Sequence, residues 1–99
     1  MIRYEVTLEC STETAPALER WMRNRHIPEV LATGCFTGAH FDEADGRFRT
    51  VYQAAARPHL DRYLAEHADR MREQFRQHFP DGVAVSRETW EELQSWTST

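Results

Sequence analysis

Among the residues of this chain that could do chemistry without a cofactor, His26 stands first. It closes an apolar helical stripe two residues before Pro28. Proline has no N–H to give the carbonyl of Asn24, so the helix must kink or restart near Arg25–Ile27. That leaves an irregular backbone and a freed carbonyl beside the imidazole. An imidazole with its ordinary pKa of about 6.5 can take and return a proton near neutrality. The structural alternative is a cap: His26 bonds the freed carbonyl and steadies the broken turn.

Four aromatic residues are placed to wall a pocket around such a group. Tyr4 and Tyr52 fall on the apolar faces of two strand patterns, and Trp21 and Tyr63 on the inner faces of two helical ones. A ligand site is commonly apolar and aromatic with few polar anchors. The same set also makes an ordinary core whose hydroxyls reach a partner at its edge. His67 lies on the stripe Leu60, Leu64, His67, Met71. It is a candidate ligand contact or a satisfied buried imidazole. His40, His59 and His78 read as surface or element-end residues.

Other chemistries find little support. His26 and Glu29 are three apart, but Pro28 spoils the helix geometry between them, and no further ligand stands at zinc spacing. No metal and no organic cofactor is expected. No serine sits in a glycine-rich elbow, and no phosphate-cradling loop is present. Cys35, after Gly34, reads as a small buried residue rather than a nucleophile.

The elements that must position these residues are legible from periodicity. Ile2, Tyr4, Val6 and Leu8 alternate with Arg3, Glu5, Thr7 and Glu9, the pattern of a half-buried strand. Ser11, Thr12 and Thr14 offer caps for a helix along Leu18, Trp21, Met22 and Arg25. A short turn from Pro28 to Thr33 stops at Gly34. Residues 35–42 and 47–55 read as strands joined by Glu43-Ala44-Asp45-Gly46, in which Asp-Gly is a strong hairpin signal. Pro58 opens a long helix to about Phe79, with Leu60, Tyr63, Leu64, His67, Met71, Phe75 and Phe79 inward. Pairs such as Arg62–Glu66, Glu66–Arg70 and Asp69–Arg72 would dress its outer face for a few tenths of a kcal/mol each. Residues 83–90 form a fourth strand, and the tail from Glu91 carries Trp96.

The order β-α-β-β-α-β predicts an α+β, ferredoxin-like fold: a four-stranded antiparallel sheet with two helices on one face. Strand one lies beside strands three and four, with strand two at an edge. Cys10 and Cys35 then stand at opposite ends of the first crossover, so a disulfide between them is not expected. Arg3, Glu5, Thr7, Glu9, Arg49, Val51 and Gln53 share the other face of the sheet. That face is either solvated or covered by a second sheet. Trp90 and Trp96 argue for cover, since so small a core has little room for them.

Composition sets outer limits. The chain has 99 residues, 40 % hydrophobic and 28 % charged, with a net charge of −4. That is one domain, residues 1–99. All twelve basic residues are arginine, but they form no basic patch, so no nucleic-acid partner is expected. No apolar run approaches the ~20 residues that span a bilayer, and the chain opens on a strand rather than a signal region. A cytoplasmic protein that does not enter a membrane is the expectation.

The string Trp21-Met22, then His26-Ile27-Pro28-Glu29-Val30-Leu31-Ala32-Thr33-Gly34-Cys35-Phe36, resembles a bacterial family of about a hundred residues and unknown function. So do Tyr4-Glu5-Val6, the stretch from Asp61 to Ala68, and Ser86-Arg87-Glu88. The resemblance covers residues 1–92 and leaves 93–99 as a tail. That family is similar in fold to the dimeric α+β barrels, which implies a homodimer with paired sheets. The superfamily includes cofactor-free monooxygenases of antibiotic biosynthesis, polyketide cyclases, lactone isomerases and haem-degrading enzymes. A histidine late in the first helix looks like the acid/base of some of its isomerases and cyclases. Fold alone assigns no reaction. Two functions follow as expectations. One is a cofactor-free isomerase, cyclase or monooxygenase acting on an aromatic or polyketide-like compound, with His26 moving the proton and Trp21, Tyr52 and Tyr63 holding the ring. The other is a non-catalytic dimeric module that binds a ligand or a protein. The enzyme requires a cavity of roughly 300 Å³ or more between sheet and helices.

Overall fold

The computed structural model describes residues 1–98. The first strand, β1 (Ile2–Cys10), follows from the strict alternation of its apolar residues. Its Ile2, Tyr4 and Leu8 are buried. A helix, α1 (Ala15–Trp21), comes next, with Pro16 in its first turn, where no N–H is needed. Pro28 then acts on the chain ahead of it. Instead of kinking, the backbone widens into a π-helical turn over Met22–His26, in which the N–H of Ile27 bonds the carbonyl of Met22 five residues back. A short helix, α2 (Ile27–Leu31), follows directly, and Gly34 ends the segment at φ +79°.

Strands β2 (Gly38–Ala44) and β3 (Arg47–Ala54) form a hairpin. Residues 35–37, expected to begin β2, are irregular, although Thr37 already bonds the carbonyl of Gln53. Glu43 and Ala44, expected in the loop, pair with Phe48 and Arg47, so the loop is Asp45-Gly46 alone, at φ +50° and +80°. Two positive values mark the type I′ turn, whose twist matches that of the strands. A methyl group on Gly46 would meet no atom within 4 Å. The cost of Gly46→Ala is therefore purely conformational, about 1 kcal/mol. Urea unfolding at fixed protein concentration checks it, and a loss of only a few tenths would remove the left-handed turn from this hairpin.

The expected long helix is in fact two, α3 (Arg57–Glu66) and α4 (Ala68–His78), broken at His67, where φ is −127°. No proline or glycine follows Pro58 within the segment, so propensity carried no sign of the break. Strand β4 (Val83–Glu91) completes the sheet in the order β2-β3-β1-β4, with every pair antiparallel. This is the ferredoxin-like arrangement the element order predicts. Cys10 and Cys35 are both free thiols.

The core falls into two clusters under the helices. One gathers Tyr4, Phe36, Tyr52, Leu60, Tyr63 and Met71. The other gathers Leu8, Leu18, Met22 and Phe48. Val6 and Ile27 touch both. Burial is uneven across the sheet. The inward residues of β1 and β3 are largely covered, but β4 keeps Val85 half-buried and Arg87 exposed. An open seam therefore runs along β4 where the two clusters meet.

None of the three expected ion pairs on the outer face of α3 and α4 forms among the described residues. Arg62 donates to Cys35 Sγ at 3.3 Å, Arg70 reaches His67 Nδ1 at 3.1 Å, and Arg72 donates to Tyr4 Oη at 3.0 Å. Exposed pairs on a helix are worth only a few tenths of a kcal/mol. A charge-assisted bond to a part-buried acceptor outweighs them.

Candidate functional site

The seam holds a cleft floored by Tyr4, Tyr52, Tyr63 and Met71 and walled by His26, Arg72, Phe75 and Arg87. β1 and β3 carry Tyr4 and Tyr52 across from each other in register, and their rings lie 6.2 Å apart. Tyr63 descends from α3 to within 6.0 Å of Tyr4. Arg72 comes from α4, and Arg87 from the inward row of β4.

The π turn decides where His26 goes. In an α-helix, residues five apart point about 140° away from each other. A turn closed by i→i+5 bonds, with about 4.4 residues per turn, brings them to within about 50° of each other. Trp21 and His26 accordingly stack, with centroids 4.9 Å apart and planes 25° off parallel. His78 packs on Trp21 at 4.7 Å, and Phe75 meets both Trp21 and His26 edge-on. Trp21 thus backs the imidazole and does not line the cleft itself. Arg25, expected on the inner stripe, is exposed and pairs with Glu29 at 3.3 Å.

The expected cap does not form: among the described residues His26 makes no cap bond, and its Nδ1 is buried without a hydrogen-bond partner. Burial pushes its pKa down to about 4; Glu29 pulls it upward and Arg87 presses it further down. The ring is therefore neutral at physiological pH. Tyr52 Oη is likewise buried and unpartnered. Burial drives the Tyr52 phenol well above its ordinary range, with Tyr63 and Tyr4 adding to the rise and the Thr50 hydroxyl, itself buried and unpartnered, pulling the other way. Tyr63 is pushed up to about 12 by burial first and Tyr4 second, against the pull of Arg72 and Arg87. Both phenols remain protonated near neutrality. Buried polar atoms without partners are rare in folded proteins, and two of them belong to residues of one cleft.

The cleft offers about 30 Å³ to the centre of a water-sized sphere, against about 410 Å³ of empty space counted out into its open mouth. The closed end has room for a water molecule or two. It falls short of the cavity expected for an enzyme that engulfs a ring compound.

A model of the domain of unknown function DUF4286 matches residues 1–93. The chain belongs to the DUF4286 family. No curated protein sequence matches it. Among solved structures, this DUF4286 chain is similar to a candidate antibiotic biosynthesis monooxygenase from Deinococcus radiodurans. The two are 16 % identical over 100 % of this chain and 99 % of that one, with a TM-score of 0.72. Rv0793 from Mycobacterium tuberculosis is 16 % identical over 98 % and 100 % of the two chains, at 0.63. A dimeric ferredoxin-like protein from an uncultured marine organism is 7 % identical over 99 % and 100 %, also at 0.63. At these identities the likeness is one of fold.

Within the DUF4286 fold, His26, Tyr52 and Tyr63 come together, and Trp21 stands behind them. His67 does not line the cleft. It sits at the helix break, stacked on the far side of Tyr63 at 6.3 Å and held by Arg70. Arg72 and Arg87 were not singled out by the sequence. Their signals were present: Ala68, Arg72 and Phe75 share one helical face, and Arg87 continues the inward alternation of Val83 and Val85. Among the described residues, no helix is long and apolar enough to cross a membrane.

Proposed function

We propose that this protein is a homodimeric small-molecule-binding module whose cleft takes the polar end of a small planar compound. The carrying observation is the pair of buried, unpartnered groups, His26 Nδ1 and Tyr52 Oη, in a site otherwise walled by aromatic and apolar side chains. A polar ligand atom in the closed end would satisfy both, which offsets the cost of leaving them bare. The planar body would rest in the open mouth against Phe75 and Val85. The small enclosed volume fits a ligand held by one end better than one swallowed whole.

The dimer is argued from the other side of the sheet. Val51 is buried at its centre, flanked by the pairs of Arg49 with Asp42 and of Arg3 with Glu92. Toward β4, Trp90, Leu93 and Trp96, exposed by 54, 93 and 79 %, gather with Arg3 and Glu5. A cluster of that kind on so small a domain marks an interaction surface. A second sheet laid on the first would cover it, and the dimeric ferredoxin-like neighbour has the same fold.

A second reading, catalysis of isomerase, cyclase or monooxygenase type on an aromatic or polyketide-like compound, is favoured by the free nitrogen of His26. It also accords with the names of the monooxygenase-like neighbours. A base whose conjugate acid has a pKa of about 4 has little driving force for proton abstraction near neutrality. Binding is therefore the better-supported role.

Native mass spectrometry of the purified protein, followed by denaturing analysis of the same sample, tests the proposal. The expected result is twice the chain mass plus a non-covalent adduct lost on denaturation. A monomer overturns the paired sheets. An empty dimer whose Tyr63 and His26 NMR signals do not move with added indole or benzoate overturns the ligand site. Turnover of a retained compound, lost in His26→Ala, would move the reading to catalysis.

A further inference from the structure

We propose that the ligand of this cleft is an acid whose anionic oxygens are held by Arg72 and Arg87. The inference rests on the reading of the cleft as a ligand site. The chain as a whole carries a net charge of −4, yet the cleft lining includes two arginines and no aspartate or glutamate. Among the described residues, neither arginine has a carboxylate within 4 Å. Arg3, Arg23, Arg25, Arg49, Arg57 and Arg76 all do. Arg20, Arg47, Arg62 and Arg70 also lack one, but all four lie outside this cleft.

The placement of the two is what matters. Arg72 is half-buried and spends one nitrogen on Tyr4 Oη. Its remaining donors are uncommitted. Arg87 belongs to the inward row of β4, in line with Val83 and Val85, and so stands over the cleft. Both bear electrostatically on Tyr63, and Arg87 also on His26. Two guanidinium groups over a part-enclosed site attract an anion, and their planar forks suit a carboxylate or an enolate-like pair of oxygens. Tyr52 is the independent sign of a ligand: the residue is 2 % exposed, and its hydroxyl has no partner although it lines the same site. As a neutral phenol it would donate to an anionic oxygen.

Two probes of nearly equal shape separate charge from fit: 4-fluorobenzoate and its neutral amide, 4-fluorobenzamide. Each is titrated into the full-length protein, with fluorine signals reporting affinity and the His26 and Tyr63 signals reporting location. The benzoate is expected to bind at least about tenfold more tightly than the amide. Arg87→Gln and Arg72→Gln should each erase about that factor, the scale of one charge-assisted hydrogen bond. Added salt should weaken only the benzoate. Thermal melting of both variants shows that they remain folded; Arg87 has no bond among the described side chains to lose. Equal binding of the two probes at His26 and Tyr63, unaffected by either variant, overturns the acid and leaves the ligand site standing. Failure of both probes to move those signals at millimolar concentration overturns the ligand site as well.

Discussion

Replacing Phe48 by alanine is expected to remove about 3–5 kcal/mol of stability. Phe48 is 1 % exposed and stands on the inward row of β3. It joins Leu8, Leu18 and Met22 in the smaller core cluster, and its ring stacks on Phe41 at 5.5 Å. Truncation would lose the transfer free energy of the ring and leave a void among residues drawn from β1, α1 and the π turn. These sit on separate elements that cannot all close in without shifting the sheet. Urea unfolding followed by far-UV circular dichroism measures the loss. The midpoint should fall with little change in slope, at a protein concentration held fixed because a dimer's stability depends on it. Phe41→Ala, at a half-buried edge position, should cost clearly less. A Phe48→Ala loss below about 1 kcal/mol would contradict the described packing.

Acidification should give the second large effect. His26 has an ordinary pKa of 6.5 when exposed and about 4 in the fold. The folded state therefore resists protonation while the unfolded chain accepts it. Stability is full above about pH 6.5 and falls as the pH drops toward 4, by roughly 3 kcal/mol in all at 1.36 kcal/mol per pKa unit. Glu29 on α2 opposes the shift and Arg87 on β4 adds to it, while Trp21 and Phe75 supply apolar cover. Carboxylates titrate in part of the same window, so the informative quantity is the difference between the wild type and His26→Gln. The variant should be less stable at pH 7.5, having lost the stack on Trp21, yet its stability should fall less between pH 6.5 and 4. Parallel profiles would show that His26 is not held neutral by burial.

The strand order was legible because each strand announces itself locally. β1 alternates with period two, Asp45-Gly46 marks a hairpin, and Pro80-Asp81-Gly82 stops the helical stretch before the last strand. The helix break at His67 was not legible, since no residue from 57 to 78 other than Pro58 disfavours a helix. The partners of Arg62, Arg70 and Arg72 were misread for a related reason. Helical spacing puts a carboxylate within reach of each, but the acceptors that prevail are Cys35, His67 and Tyr4. Two of these lie far away in sequence.

Local periodicity and turn chemistry determined the antiparallel sheet, its order, the interrupted first helix and the importance of the His26–Pro28 neighbourhood. These depend on backbone preferences acting over a few residues. Tertiary structure alone decided that the interruption is a π turn stacking Trp21 on His26, and that the imidazole is buried, neutral and unpartnered. It also placed Arg72 and Arg87 over the cleft, moved His67 away from it, and left the cleft only about 30 Å³ open to the centre of a water-sized sphere. Desolvation, charge and cavity volume are sums over neighbours brought together from distant parts of the chain, and no window of sequence contains them.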